Sequence, residues 1–155
     1  MSVEFLTCID RDIIYLKWTG VVDFDTVMDG MAAIRNDENY RPGRPRLVDA
    51  SRITEIDMDY GLLRAMVRET TGTGDHSIDE SVSAVYAPSD VVFGVTRMVQ
   101  TMTELADGAR LDVFREERDA LASLGLYHES FADLLETEHF LAARPGRLRR
   151  VMRSG

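Results

Sequence analysis

Residues 46–64 read RLVDASRITEIDMDYGLLR, and this stretch decides the fold class. A short apolar run, Leu47 and Val48, ends in Asp49-Ala50-Ser51. A polar connection is expected over residues 52–56, followed by a helix that starts on the acids Asp57 and Asp59. A buried strand that stops at a small polar residue and feeds an acid-capped helix is the basic step of an α/β domain. Ligands of open α/β sheets collect at the carboxyl ends of strands, so any site is expected here too.

Working outward, the chain opens on a hairpin. Residues 3–9 and 13–19 are rich in β-branched and aromatic side chains, and Asp10-Arg11-Asp12 between them is turn chemistry. Tyr15 and Trp18 fall on opposite faces by the two-residue period, so both faces of the hairpin are covered. Gly20 is expected to end the strand. Asp23 or Asp25 then caps a helix to about Asn36, with Phe24, Val27, Met28, Met31 and Ile34 on one stripe. The Pro- and Gly-containing segment 40–45 cannot continue it.

Downstream, Met58, Leu62, Met66 and Val67 mark the apolar face of the next helix, which runs to about Thr71, and a connection over 72–76 follows. Residues 81–87 read as a strand, and Pro88-Ser89-Asp90 opens the longest helix, with Val91, Val95, Met98, Met102 and Leu105 at helical spacing. A strand at 111–114, a helix at 116–124 and a last helix at about 129–143 complete the order ββαβαβαβα plus one helix. This predicts a single α/β domain: a mixed, mostly parallel sheet with an N-terminal hairpin, right-handed crossovers and helices packed on it. The domain is expected over 1–127, an added helix over 128–143 and a basic tail over 144–155.

Composition bounds the function. The 155 residues are 45% hydrophobic and 29% charged, which is globular, and no run approaches a membrane span. The N-terminus lacks the order of a signal peptide, and Cys8 is alone, which excludes an internal disulfide and a four-thiolate zinc site. A cytoplasmic location is expected. The net charge of −9 argues against nucleic-acid binding. The tail holds five arginines and no acid: a solvated end, or an arm for an acidic surface of a sister subunit.

No motif reaches catalytic strength. Asp49, Asp57 and Asp59 lack the spacing of a calcium loop. Glu136 to His139 is half of a di-iron motif with no second copy. Asp75-His76-Ser77 are adjacent and cannot point at one another, and Gly72-x-Gly74 follows a helix rather than a strand. Cys8 has no basic neighbour in sequence, and most of the eight methionines occupy helical core stripes. No enzyme, cofactor or metal is expected.

The hairpin, the helix after TGVVDFDTV, the strand LVDAS and the short path to IDMDYGLL together resemble the STAS domain of sulphate transporters and anti-sigma-factor antagonists. AVYAPSDVVFGVTRMVQ followed by LDVFREERDALASLGL resembles more specifically the bacterial SpoIIAA-like proteins, and the likeness covers residues 3–126. It implies a protein-interaction module, and some relatives are grouped with lipid-carrier-like folds. In anti-sigma antagonists an acid and a phosphorylatable serine precede a glycine and a leucine. The matching stretch here, Asp57 to Leu62, is one residue longer and places Met58 or Asp59 at the serine's position. That implies a surface without the phosphorylation switch.

The expectation is therefore a non-catalytic interaction module acting through Ser51, Arg52, Glu55, Asp57, Asp59 and Tyr60, with a protein partner. A homo-oligomer, with a dimer favoured, is expected through Phe131, Leu134, Leu135 and Leu141. The alternative is a carrier or sensor of a small apolar ligand held between helices and sheet, and the third an enzyme of unrecognised site.

Overall fold

The computed structural model describes residues 2–71, 82–105 and 110–144. The tail from 145 and the 72–77 segment, with its two candidate motifs, lie outside the described residues. Strands are β1 Ser2–Cys8, β2 Ile13–Asp23, β3 Arg46–Asp57, β4 Val82–Tyr86, β5 Arg110–Phe114 and β6 Leu141–Ala142. Helices are α1 Phe24–Arg35, α2 Tyr60–Thr71, α3 Asp90–Glu104, α4 Glu117–Ser123 and α5 Phe131–Thr137. One mixed sheet runs β5-β4-β3-β2-β1-β6, parallel from β2 through β5 and antiparallel where β1 meets β2 and β6. The expected α/β class with a mostly parallel sheet is what the chain adopts.

The period-two alternation of β2 sorts the two layers. Ile14, Leu16 and Trp18 face α1 and join Val27 and Ile34, whereas Ile13 and Tyr15 face α4 and α5 and join Leu121, Phe131 and Leu134. Ala50, Val85 and Val92 extend the first layer beneath α3. No helix among the described residues is long and apolar enough to cross a membrane.

The helix starts follow their caps. Asp23 accepts from the Thr26 N–H at 2.8 Å and Ser89 from the Val92 N–H at 3.3 Å. Ahead of β3, the Asp12 carboxylate holds the guanidinium groups of Arg41 and Arg44, with Arg44 Nε at 2.8 Å, and these bonds hold its carboxyl below the ordinary range. Asp12 sits at φ 55 in the hairpin turn. This clamp and the Ile14 N–H to Pro45 carbonyl bond (2.9 Å) set where β3 begins.

Five expectations are corrected. Gly20 does not end β2; it adopts φ 87 within a strand that continues to Asp23. Residues 52–56 are not a connection but the second half of β3. The six residue steps from Lys17 to Asp23 face eight steps from Asp49 to Asp57, so β3 carries two extra residues in two bulges. These bulges turn the alternation into a three-residue spacing, Ala50, Ile53 and Ile56, all packed in one cluster. A strand with that spacing does not look like one. Asp59, not Asp57, caps α2, accepting from the Leu62 N–H at 2.8 Å, and Leu63 replaces Leu62 in the core.

The remaining two concern α3 and α5. The α3 face is offset by one residue from the expected stripe: Val92 and Thr103 are buried, while Val91 and Leu105 are 73% and 86% exposed. The last helix stops at Thr137, and Leu141 lies instead in β6, paired with Thr7.

Gly30 of α1 brings the helix backbone against Trp18. A Cβ there would meet Trp18 Cη2 at 2.8 Å and Val3 Cγ1 at 3.1 Å. Gly30→Ala is expected to lower stability by about 1–3 kcal/mol through overpacking against a rigid indole, outweighing the helix-propensity gain. Urea denaturation followed by the fluorescence of the single tryptophan measures this; an unchanged midpoint would contradict the packing.

Candidate functional site

The six residues expected as an interaction surface lie along the second half of β3 and the start of α2. Arg52, Glu55, Asp57 and Tyr60 are exposed there. Ser51 donates its backbone N–H (2.9 Å) and its hydroxyl (2.6 Å) to Asp49 Oδ1, and Asp59 is committed to the α2 cap. These six therefore form an exposed strip, and not a concave site.

Asp49 is drawn the other way. Its Oδ2 accepts the buried Tyr15 hydroxyl at 3.2 Å, under α4 and α5. Asp57 stands eight residues further along β3, a span that faces six steps of β2 and so covers about 20 Å at strand rise, and the carboxylates cannot share a cation. Among the described residues no three His, Cys, Asp or Glu gather in a metal-binding arrangement. Glu136 and His139 do not share a helix face, because α5 ends between them. Glu138 instead pairs with Arg11 (2.9 Å) and His128 (3.3 Å). Cys8 is buried.

The expected oligomer contacts are also redistributed. Leu134 is 0% exposed and Phe131 is buried, inside the chain's own core. The Phe131 ring stands edge-on to Tyr15 at 5.8 Å and to Tyr86 at 5.4 Å. Leu135 packs partly against the same cluster and Leu141 is half-buried in β6. Phe131 and Leu134 thus cover the sheet face of their own chain and have no surface left for a second one.

A concave feature that no single motif marks lies on the other face of the sheet. Between the sheet and helices α1, α2 and α3 lies a cavity of about 200 Å³. Leu16, Trp18, Val48, Met66, Val85 and Val99 are among its walls, drawn from five elements, β2, β3, β4, α2 and α3. Its lining is apolar except for four hydroxyl-bearing residues and two arginines. It exceeds the ~150 Å³ apolar cavity that takes up benzene and falls below the ~300 Å³ at which drug-sized pockets begin. The apolar wall residues read in sequence as ordinary core, and only the threonines, Ser83 and the two arginines stand out. Thr70, Thr96 and Thr103 satisfy their hydroxyls on their own helix carbonyls, at 2.8, 2.7 and 2.8 Å.

A six-stranded, mostly parallel sheet led by a hairpin, with three helices on one face and two on the other, is a STAS-like, SpoIIAA-like fold. No protein-family model matches the sequence and no curated protein matches it. Among solved structures the chain is similar to an uncharacterised protein of the DUF3478 family with a SpoIIAA-like fold from Shewanella loihica PV-4. That likeness has a TM-score of 0.52 and 13% sequence identity, and covers 79% of this chain and 94% of the other.

Burial, then the Asp49 charge and the bond to it, push the Tyr15 hydroxyl well above the ordinary tyrosine value. Tyr86 is raised as well, first by burial. Folded Tyr15 holds its proton more tightly than the unfolded chain does. Its contribution is therefore intact below about pH 10, the ordinary tyrosine pKa, and is lost as pH climbs toward the raised folded value. The thermal midpoint is expected to fall above that pH, and less steeply in Tyr15→Phe. Parallel slopes for the two proteins would refute the assignment.

Proposed function

We propose that this chain is a non-catalytic binding protein that holds a small apolar ligand between its sheet and helices α1–α3. The observation that carries this reading is the apolar cavity of about 200 Å³, larger than the gaps a close-packed core leaves. Its described lining contains no carboxylate, imidazole or thiol, so no lining group of those kinds acts as a general base on its hydroxyls. The STAS-like fold of a structurally similar protein fits a binding role without assigning one.

A ligand at about a hundred times its dissociation constant adds ~2.7 kcal/mol of stability, about 5–10 °C in thermal midpoint at this chain length. Titration with 1-octanol is expected to give such a rise and to change the emission of Trp18, a wall residue. Val99→Phe, which fills the cavity, should remove both responses. A wild-type protein indifferent to octanol, with no small molecule retained in native mass spectrometry, would overturn the reading.

A second reading rests on a different observation. The outer face of α3 exposes Val91, Met98 and Leu105, an apolar strip at helical spacing with no covering element among the described residues. We propose that two copies associate through this strip, in place of the α5 contacts. Met98→Glu with Leu105→Glu is expected to halve the mass seen in light scattering. A wild-type protein that is monomeric at high concentration would sink this reading.

A further inference from the structure

The outer face of α3 follows a seven-residue rhythm. Val91, Gly94, Met98, Thr101 and Leu105 are separated by steps of three and four, and at 3.6 residues per turn they fall inside about 80° of the helix surface. All five are exposed, and Leu105, the C-cap, still has helical backbone angles. Large side chains at Met98 and Leu105 alternate along the stripe with small ones at Gly94 and Thr101. A Cβ built on Gly94 meets nothing within 4 Å. Glycine is a poor helix former, so the packing of its own chain does not account for this residue inside the longest described helix.

The stripe also has a charged border. Arg97 and Glu104 stand two turns apart along its β5 side, and both are exposed. Arg97 Nη1 donates to the neutral Gln100 Oε1 at 2.9 Å, and Gln100 donates in turn to Asp112 Oδ1 of β5 at 3.3 Å. The Glu104 carboxylate enters no ion pair or side-chain hydrogen bond among the described residues. The face therefore presents one cation and one anion, neither paired with an opposite charge, beside an apolar seam.

Resting on this face as the contact between two copies, we propose that the two α3 helices run antiparallel in a single register. Leu105 of each copy lies over Gly94 of the partner subunit, and Met98 over the partner's Thr101. A parallel pair sets like against like: Met98 on Met98 crowds one layer, and Gly94 on Gly94 leaves a void in the next. The antiparallel pair sets each large side chain on a small one, and the bare backbone at Gly94 lets Leu105 seat closely. The same register brings Arg97 of one copy beside Glu104 of the other, twice by the two-fold symmetry. In a parallel pair Arg97 borders Met102 of the partner subunit instead, which offers it no charge. Shape and charge select the same orientation.

Two measurements on the full chain test the orientation and the register. Under mild oxidation, with the buried Cys8 left in place, Gly94→Cys combined with Leu105→Cys is expected to give a disulfide-linked dimer. Neither single variant is expected to crosslink, and the two sites cannot bridge within one helix, where eleven residues hold them about 16 Å apart. In sedimentation, Arg97→Glu and Glu104→Arg should each weaken association roughly ten-fold, and the two together should return it to within about two-fold of wild type. Crosslinking by a single variant, or none by the double variant in a dimeric protein, overturns the antiparallel arrangement while the α3 contact stands. Charge reversals that leave the dissociation constant unchanged overturn the register in the same way. A wild-type protein that stays monomeric at high concentration removes the α3 contact itself, and the proposal with it.

Discussion

The structure hangs on the parallel pairing of β2 with β3. Both are long strands, of 11 and 12 residues, at the centre of a sheet whose other strands are shorter. Their shared faces carry Tyr15 and Leu47 to one core, and Leu16, Trp18 and Val48 to the other. A one-residue slip would exchange those sets and bury neither properly. Register is held at one end by the Asp12 clamp on Arg41 and Arg44. Further along, the two bulges in β3 re-aim Ile53 and Ile56 toward the helices, which gives the cavity its apolar end.

Much of this fold is legible in sequence wherever local chemistry and global packing agree. The hairpin, the Asp23 and Ser89 caps and the βα order are short-range signals, and the chain obeys them. The second half of β3 was illegible for a definite reason: two inserted residues destroy the period on which strand recognition depends. The α3 phase failed differently. Val91, Val92, Val95, Met98, Val99 and Met102 share one broad apolar arc of roughly 120°, wide enough for two adjacent stripes, so periodicity cannot say which of them is the inner one. The longer-chain stripe, with Met98 and Leu105, ended outside, and the branched, hydroxyl-bearing stripe faced the sheet. The last helix was overextended because Leu141 fits a helical and an extended period equally well, and only its pairing with Thr7 decides.

The candidate site was less legible than the fold. The expected strip on β3 and α2 exists as a surface, but two of its six residues are already committed: Ser51 is bound to Asp49 and Asp59 caps a helix. A cavity is what remains between layers after packing, so no single residue announces it. Its walls come from residues as far apart in sequence as Leu16 and Leu111. Apolar-ligand binding could be named in sequence as an alternative, from the methionine content and the fold likeness. Its location could not.

The partnership of β1 with β6 has a temporal consequence. Leu141 meets Thr7 across nearly the whole described chain, through only two paired positions. Closing so long a loop costs entropy that a two-residue ladder cannot offset alone, so this contact forms after the hairpin and the central strands. Until then the outer edge of β1 offers free backbone groups to any extended chain nearby. During folding β1 is thus paired along its inner edge before the short β6 segment arrives to guard its outer one.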